Sequence, residues 1–219
     1  MEKTEIAVYG AGGFGRELAW LVQLCGEAGR PIHLACLIDD APELAGRELN
    51  GVPVLGFESA RRRFPGAAVV SGIGIPRFRE AAMARAEAAG ARFETIVHPR
   101  VEISPWVELG EGTVVCAGNV LTTNIVLGKH VQIHPGCTVM HDALVGDFTT
   151  LAPGVRVSGF VRIGRAVFVG AGAVIANGTR ENPMVVGDGA VIGAAACVIK
   201  PVPAGATVAG VPAKVLERR

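Results

Sequence analysis

Every sixth residue from 103 to 175 is aliphatic: Ile103, Leu109, Val115, Leu121, Leu127, Ile133, Val139, Val145, Leu151, Val157, Ile163, Val169 and Ile175. With hydrophobic residues at 50% of the chain, chance breaks such a run early, so the pattern predicts a solenoid built on hexapeptide repeats. A longer period lies over it. Leu109-Gly110, Leu127-Gly128, Val145-Gly146 and Ile163-Gly164 recur every 18 residues, which makes three hexads one coil. The pattern resumes at Val186-Gly187, 23 residues after Ile163, and this places a five-residue external loop within about Arg180 to Val185. Each hexad supplies a short strand with its aliphatic side chain inward. Coils stack at about 4.8 Å, so that residues 18 apart form columns. Val107, Ile125, Val131, Val155 and Val161 fall outside the sixth-position column and are expected to point outward. They would leave apolar flat faces that packing of three helices in closed symmetry would bury.

The first 96 residues read differently. A strand, Ile6-Ala7-Val8-Tyr9, runs into Gly10-Ala-Gly12-Gly13-Phe-Gly15, and Arg16 to Cys25 then carries helical periodicity through Leu18, Leu21, Val22 and Cys25. A second strand, His33 to Ile38, ends at Asp39-Asp40, where a doubly wound sheet places an acid near a ribose hydroxyl. A third, Ala68 to Ser71, meets Gly72-Ile-Gly74, and Pro76 opens an alanine-rich helix through Ala89. Glycines let backbone approach a pyrophosphate, and a helix N-terminus offers unpaired N–H groups and a positive dipole end. Gly10, Gly12, Gly13 and Gly72 are therefore expected on the phosphate approach, with Asp39 and Asp40 near the ribose. The expected division is a Rossmann-like nucleotide-binding α/β domain over 1–96 and an all-β parallel helix over 97–219.

Composition narrows the function classes. Aromatics are only 5% and glycines number 30, which suits tightly stacked short strands. With 21 basic and 20 acidic residues the formal charge is +1, too small a field to gather nucleic acid or a membrane surface. Arg61-Arg62-Arg63 reads as a solvated helix end. The five cysteines, Cys25, Cys36, Cys116, Cys137 and Cys197, match no metal spacing and read as buried thiols in a reducing compartment. No apolar run of about 18 residues and no signal-peptide pattern is present, so a cytoplasmic protein is expected.

The Gly-rich opening, Asp39-Asp40, Gly51-Val-Pro53-Val-Leu-Gly56, Ser71-Gly-Ile-Gly74, His98-Pro99, the hexads, Met140-His141-Asp142 and the closing Ala209-Gly-Val-Pro-Ala-Lys214 stand in a specific order. That order resembles the family of sialic-acid O-acetyltransferases and UDP-amino-sugar N-acetyltransferases. The resemblance implies a left-handed helix, a sugar or nucleotide-linked sugar as substrate, acetyl-CoA as cosubstrate along the helix, no metal, a homotrimer, and a catalytic His followed by an acid. Carried onto this chain, it makes His141 the general base and Asp142 its orienting acid, and gives CoA contacts to Gly159, Ala171 and the Gly193-Ala194 turn. It also has His141 of one subunit facing Gly159 and the Gly193 turn of a neighbour. Where the family often has another polar residue, commonly His, this chain has Thr149-Thr150.

The residues themselves support that chemistry. His141 lies off the inward column and is expected to project outward beside Asp142. An imidazole titrating near neutrality takes a proton from a sugar amine or hydroxyl as that atom attacks a thioester. Gly159 lies 18 residues on, in the same column, where its N–H is expected to face the thioester oxygen. Two other readings compete. A zinc lyase of the γ-carbonic-anhydrase type would use His130, His134 and His141, whose spacing does not share one column. A non-catalytic trimeric scaffold would use the glycine turn to sense NAD, and thermal shifts with NAD, UDP-sugars and acetyl-CoA separate it from an acetyltransferase.

Overall fold

The glycine turn after the first strand organises the N-terminal part of the protein. In a computed structural model, which describes residues 3–216, the chain divides into two units, one ending at Pro99 and the other beginning at Arg100. In the first, β1 (Thr4–Tyr9), α1 (Gly13–Glu27) and β2 (Ile32–Ile38) are followed by a hairpin of β3 (Glu48–Leu49) and β4 (Val52–Leu55). Then come α2 (Phe57–Arg63), β5 (Ala68–Ser71) and α3 (Pro76–Ala88). The sheet order is β3-β4-β2-β1-β5, parallel except for the β3-β4 pair. β2 and β5 lie on opposite sides of β1, so the carboxyl end of β1 is the switch point at which open α/β sheets take their ligands. α1 starts at Gly13, three residues before the Arg16 expected from the apolar periodicity, because the glycine turn is itself the first helical turn. Leu18, Leu21, Val22 and Cys25 form its buried face. The three arginines close α2, where cationic side chains complement the helix dipole.

The second unit is a parallel β-helix whose register follows the 18-residue period. Leu121 pairs with Val139, Val139 with Val157 and Val157 with Ile175. The next pairing, Ile175 with Val198, spans 23 residues. Gly178 bonds to the carbonyl of Gly159, and Val161 pairs with Met184, which places the five extra residues at Thr179–Pro183. Met184 and Val185, expected in the loop, belong instead to the strand Met184–Val186. A short antiparallel strand, Lys214–Val215, closes the last coil on Thr207–Ala209.

The core corrects one expectation. Ile125, Val131, Val155 and Val161 are 0% exposed, not outward, and Val107 is half-buried. The residue two places before each sixth-position aliphatic also points inward, so every hexad contributes two side chains to the core. Asn119 occupies this second column and is satisfied there: its Nδ2 donates to the Cys116 carbonyl at 2.7 Å, and its Oδ1 accepts from Cys137 N–H at 2.7 Å. Thr149 fills it likewise, donating to the Gly164 carbonyl at 2.8 Å and accepting from Val167 N–H at 3.1 Å. The apolar surface that remains exposed lies elsewhere, with Val126, Leu144 and Val185 at 39%, 41% and 40% on successive rungs of one sheet, interrupted by Arg162.

The corners have their own six-residue signal. Asn124, His130, Asp142, Phe148, Phe160, Ala166 and Ala195 all have φ between 52° and 58°. The left-handed conformation turns the chain from one sheet to the next and is uncommon for residues with a Cβ. Of the cysteines, Cys25, Cys36, Cys116 and Cys137 are buried thiols and Cys197 is partly exposed. No helix among the described residues is long and apolar enough to cross a membrane.

Candidate active site

His141 and Asp142 sit at the corner between the strands Thr138–Val139 and Leu144–Val145. The corner fixes Asp142 at φ 58°, with its N–H bonded to the Thr123 carbonyl at 3.1 Å. This aims the carboxylate back at the preceding side chain: His141 Nδ1 and Asp142 Oδ2 are 2.9 Å apart. A carboxylate only accepts, so Nδ1 carries the hydrogen, and in the neutral ring Nε2 is the nitrogen with the lone pair. The ring is 47% exposed, open to a substrate yet held on two sides. Phe160 meets it edge-on, with centroids 5.2 Å apart at 83°. Gly159 lies beneath it, and a Cβ there would come within 2.5 Å of His141 Cε1 and 2.7 Å of Nε2. The Gly159 beside His141 is thus that of the same chain, in the column that the 18-residue period predicts. Its carbonyl accepts from Gly178 at 3.1 Å, while its N–H makes no backbone hydrogen bond among the described residues.

Ala171 and the Gly193-Ala194 turn come together, but at a different corner. Ala171 accepts from the Ala195 N–H at 2.8 Å, and a Cβ on Gly193 would lie 2.9 Å from Ala209 Cβ. They stack between the strands that begin at Phe168 and Val174, whereas His141 lies between those that begin at Thr138 and Leu144. The other histidines do not join His141 either. His130 is buried and stacked on Phe148 with centroids 5.0 Å apart. Among the described residues no group of three or more His, Cys, Asp or Glu is placed to hold a metal ion, so the three-histidine constellation of the zinc reading does not form.

In the N-terminal unit the glycines separate into two kinds. A Cβ on Gly15 would lie 1.8 Å from the Gly10 carbonyl oxygen, and one on Gly72 would lie 2.5 Å from Gly15 Cα. Gly10, Gly15 and Gly72 thus interlock strand, helix and second glycine loop. Gly12 and Gly13 have nothing within 4 Å of where a Cβ would stand, and Gly12 caps α1 without a side chain. The space in front of the α1 N-terminus is open at these two glycines. Asp39 braces this turn, accepting from Ala11 N–H at 3.0 Å through Oδ2 and from Ala41 N–H at 3.1 Å through Oδ1.

Asp40 is more heavily committed than the ribose expectation allows. Its Oδ1 accepts from Phe57 N–H at 2.9 Å, and its Oδ2 accepts from the Arg85 guanidinium and from Tyr9 Oη, the latter at 3.4 Å. Arg85 also lies over the Phe57 ring at 4.4 Å. Burial alone would raise the Asp40 carboxyl, but the Phe57 N–H and the Arg85 guanidinium outweigh it and hold the group below the usual carboxylate range. Asp40 therefore ties β2 to α2 and α3. Arg79, buried in α3, donates to the carbonyls of Ile73 at 2.8 Å and Gly74 at 3.2 Å, and burial pushes its guanidinium down to about 9. Tyr9, Arg79 and Arg85 escaped the sequence reading, since an arginine in an alanine-rich helix carries no local sign of the loop or carboxylate it will meet.

Comparison with known proteins fits this anatomy. The PglD N-terminal domain family matches residues 5–86, and the bacterial transferase hexapeptide family (six repeats) matches residues 124–159. The chain is 33% identical over 218 residues to GDP-perosamine N-acetyltransferase of Escherichia coli O157:H7, covering 96% of each protein. WeeI from Acinetobacter baumannii AYE superposes with a TM-score of 0.90 at 37% identity, over 97% of this chain and 100% of that one. PerB from Caulobacter crescentus, in a complex with CoA and GDP-perosamine, superposes with a TM-score of 0.86 at 28% identity, over 97% of each chain. Identity of this order across both units, with the same succession of doubly wound sheet and left-handed parallel β-helix, is more than shared architecture: the chain belongs to the hexapeptide-repeat family of sugar acetyltransferases and is an acyltransferase.

Proposed function

We propose that the protein transfers acetyl from acetyl-CoA directly to an amino group of a nucleotide-linked sugar, with His141 as general base. The observation that carries the base is the 2.9 Å contact between His141 Nδ1 and Asp142, which leaves Nε2 with a free lone pair on an exposed corner. As the sugar nitrogen attacks the thioester carbon, Nε2 takes its proton, and Asp142 favours the imidazolium that forms. The new C–N bond puts negative charge on the carbonyl oxygen, where the unpartnered Gly159 N–H is suited to receive it. Collapse breaks the C–S bond, and the imidazolium returns the proton to the CoA thiolate. The choice of an amine follows the E. coli relative, an N-acetyltransferase, and the choice of a nucleotide-linked sugar follows the PerB complex. The α1 N-terminus at Gly12 and Gly13 is the place for the nucleotide's phosphates, with Asp39 beside it for a ribose hydroxyl.

His141 and the Ala171 and Gly193-Ala194 turn occupy different corners of one helix, so a groove between two copies would let one acetyl-CoA meet both. The stripe of Val126, Leu144 and Val185, with Arg162 among them, lies on the side of the helix that such a groove would border. Acetyl-CoA and nucleotide sugars are cytosolic metabolites, and buried reduced thiols suit the same compartment. A screen of nucleotide amino sugars with acetyl-CoA, following CoA release and product mass, tests the activity. His141→Ala is expected to lower kcat about 10²–10⁴-fold with the fold intact. Near-wild-type turnover in that variant removes His141 from the mechanism, and a fully active monomer by light scattering removes the trimer.

A further inference from the structure

The inserted turn Thr179–Pro183 grows from the corner that carries the catalytic pair. Gly178, just before it, bonds to the Gly159 carbonyl at 3.1 Å, and Gly159 lies against His141. At about 4.8 Å per coil, the insertion therefore starts about 10 Å along the helix from His141. It is closed on itself by Thr179 N–H to the Asn182 carbonyl and Asn182 N–H to Thr179 Oγ1, both at 3.0 Å. Together with Asn124, Asp142, Phe160 and Arg162, the turn lines one shallow pocket to which it contributes Arg180. Neither the Arg162 nor the Arg180 guanidinium makes an ion pair or hydrogen bond among the described residues. The pocket's one carboxylate, Asp142, is held by His141, and Phe160 forms part of the pocket wall while touching the His141 ring.

We infer that Arg162 and Arg180 form a diphosphate-binding subsite that positions a cosubstrate against His141. Two exposed guanidiniums against the single carboxylate of Asp142, whose Oδ2 is occupied by His141, leave the pocket a net positive charge that favours an anion. Planar forks with paired donors suit phosphate oxygens in particular. The inference rests on the proposed reaction, both of whose cosubstrates carry a diphosphate. A nucleotide sugar presents it one sugar ring from the reacting amine, and acetyl-CoA presents it a pantetheine arm from the thioester.

Steady-state kinetics of Arg162→Ala, Arg180→Ala and the double variant, with both cosubstrates varied, test the subsite. One KM is expected to rise roughly tenfold per arginine, as for loss of a charged hydrogen bond, with kcat nearly unchanged. Lysine variants should recover part of the loss, and the salt dependence of that KM should flatten in the double variant. A rise confined to acetyl-CoA identifies the CoA diphosphate as the guest, in keeping with the nucleotide's phosphates at the α1 N-terminus, and one confined to the nucleotide sugar identifies its diphosphate and overturns the assignment of that diphosphate to Gly12 and Gly13. Unchanged KM values for both overturn the inference. So does dissociation of the assembly by light scattering in step with the kinetic loss, which would make the arginines interface residues. If the wild type turns over no nucleotide sugar, the proposed reaction fails by itself. Calorimetry with inorganic pyrophosphate then still reads the subsite, with the wild type expected to bind one equivalent more than the double variant, and equal uptake overturns it.

Discussion

Replacing Gly159 by alanine isolates the seat of the imidazole from the imidazole itself. The three atoms nearest to a new Cβ are all in the His141 ring, at 2.5, 2.7 and 3.1 Å. Gly159 lies outside the left-handed region, so the backbone accepts alanine and the side chain must yield. To restore an ordinary 3.4 Å contact the ring moves by about 0.9 Å, enough to break the 2.9 Å bond from Nδ1 to Asp142. Displacement of a reacting group by about 1 Å costs about 10²-fold in rate, so kcat of Gly159→Ala is expected to fall about that much, below the ceiling set by loss of the base. Stability should change by less than about 1 kcal/mol, because only an exposed ring is displaced. The assay is a double-mutant cycle on CoA release. In a His141→Ala background the alanine at 159 has nothing to displace and should have no further effect. Full activity in the single variant, or an equal loss in both backgrounds, refutes the reasoning.

The two classes of glycine in the N-terminal unit should behave oppositely. Gly15→Ala drives a Cβ into the Gly10 carbonyl and should unfold the unit, while Gly12→Val, whose Cβ has nothing within 4 Å, should raise KM for the nucleotide sugar alone. A fall in acetyl-CoA affinity in Gly12→Val would show that the ligands are assigned to the wrong units. Asp40→Asn should cost about 1 kcal/mol at pH 7, less than the ~1.5–3 kcal/mol of a charged hydrogen bond because the half-exposed carboxylate is screened by solvent. The folded-state carboxyl is depressed, so its contribution is complete above the unfolded carboxylate value of about 4 and is lost as pH falls through the lower folded value. Denaturant titrations should therefore show the gap between wild type and variant closing on acidification, and a gap constant with pH would contradict the ionic account of this clamp.

The sequence by itself determined the repeating part of the fold, because a coil that stacks on a copy of itself must present the same residue type at the same step. The sixth-position aliphatics, the 18-residue coil and the 23-residue interruption are all consequences of that stacking. The strand, glycine turn and helix at the N-terminus were legible for a similar reason, since each is specified by residues adjacent in the chain. Direction was not legible where two apolar positions alternate within one hexad: Ile125 and Val126 look alike as letters, yet one is buried and the other 39% exposed. Only stacking of the coils decides which side of the strand faces in. The same holds for the site. His141 and Asp142 were visible as neighbours and the 18-residue period put Gly159 in their column, but how closely the ring sits on that glycine was not legible. The capture of Asp40 by Arg85 joins residues 45 apart, and the approach of Arg180 to the pocket beside Asp142 depends on how an inserted turn folds back. These distances are set by tertiary packing, which brings together side chains that no periodicity relates.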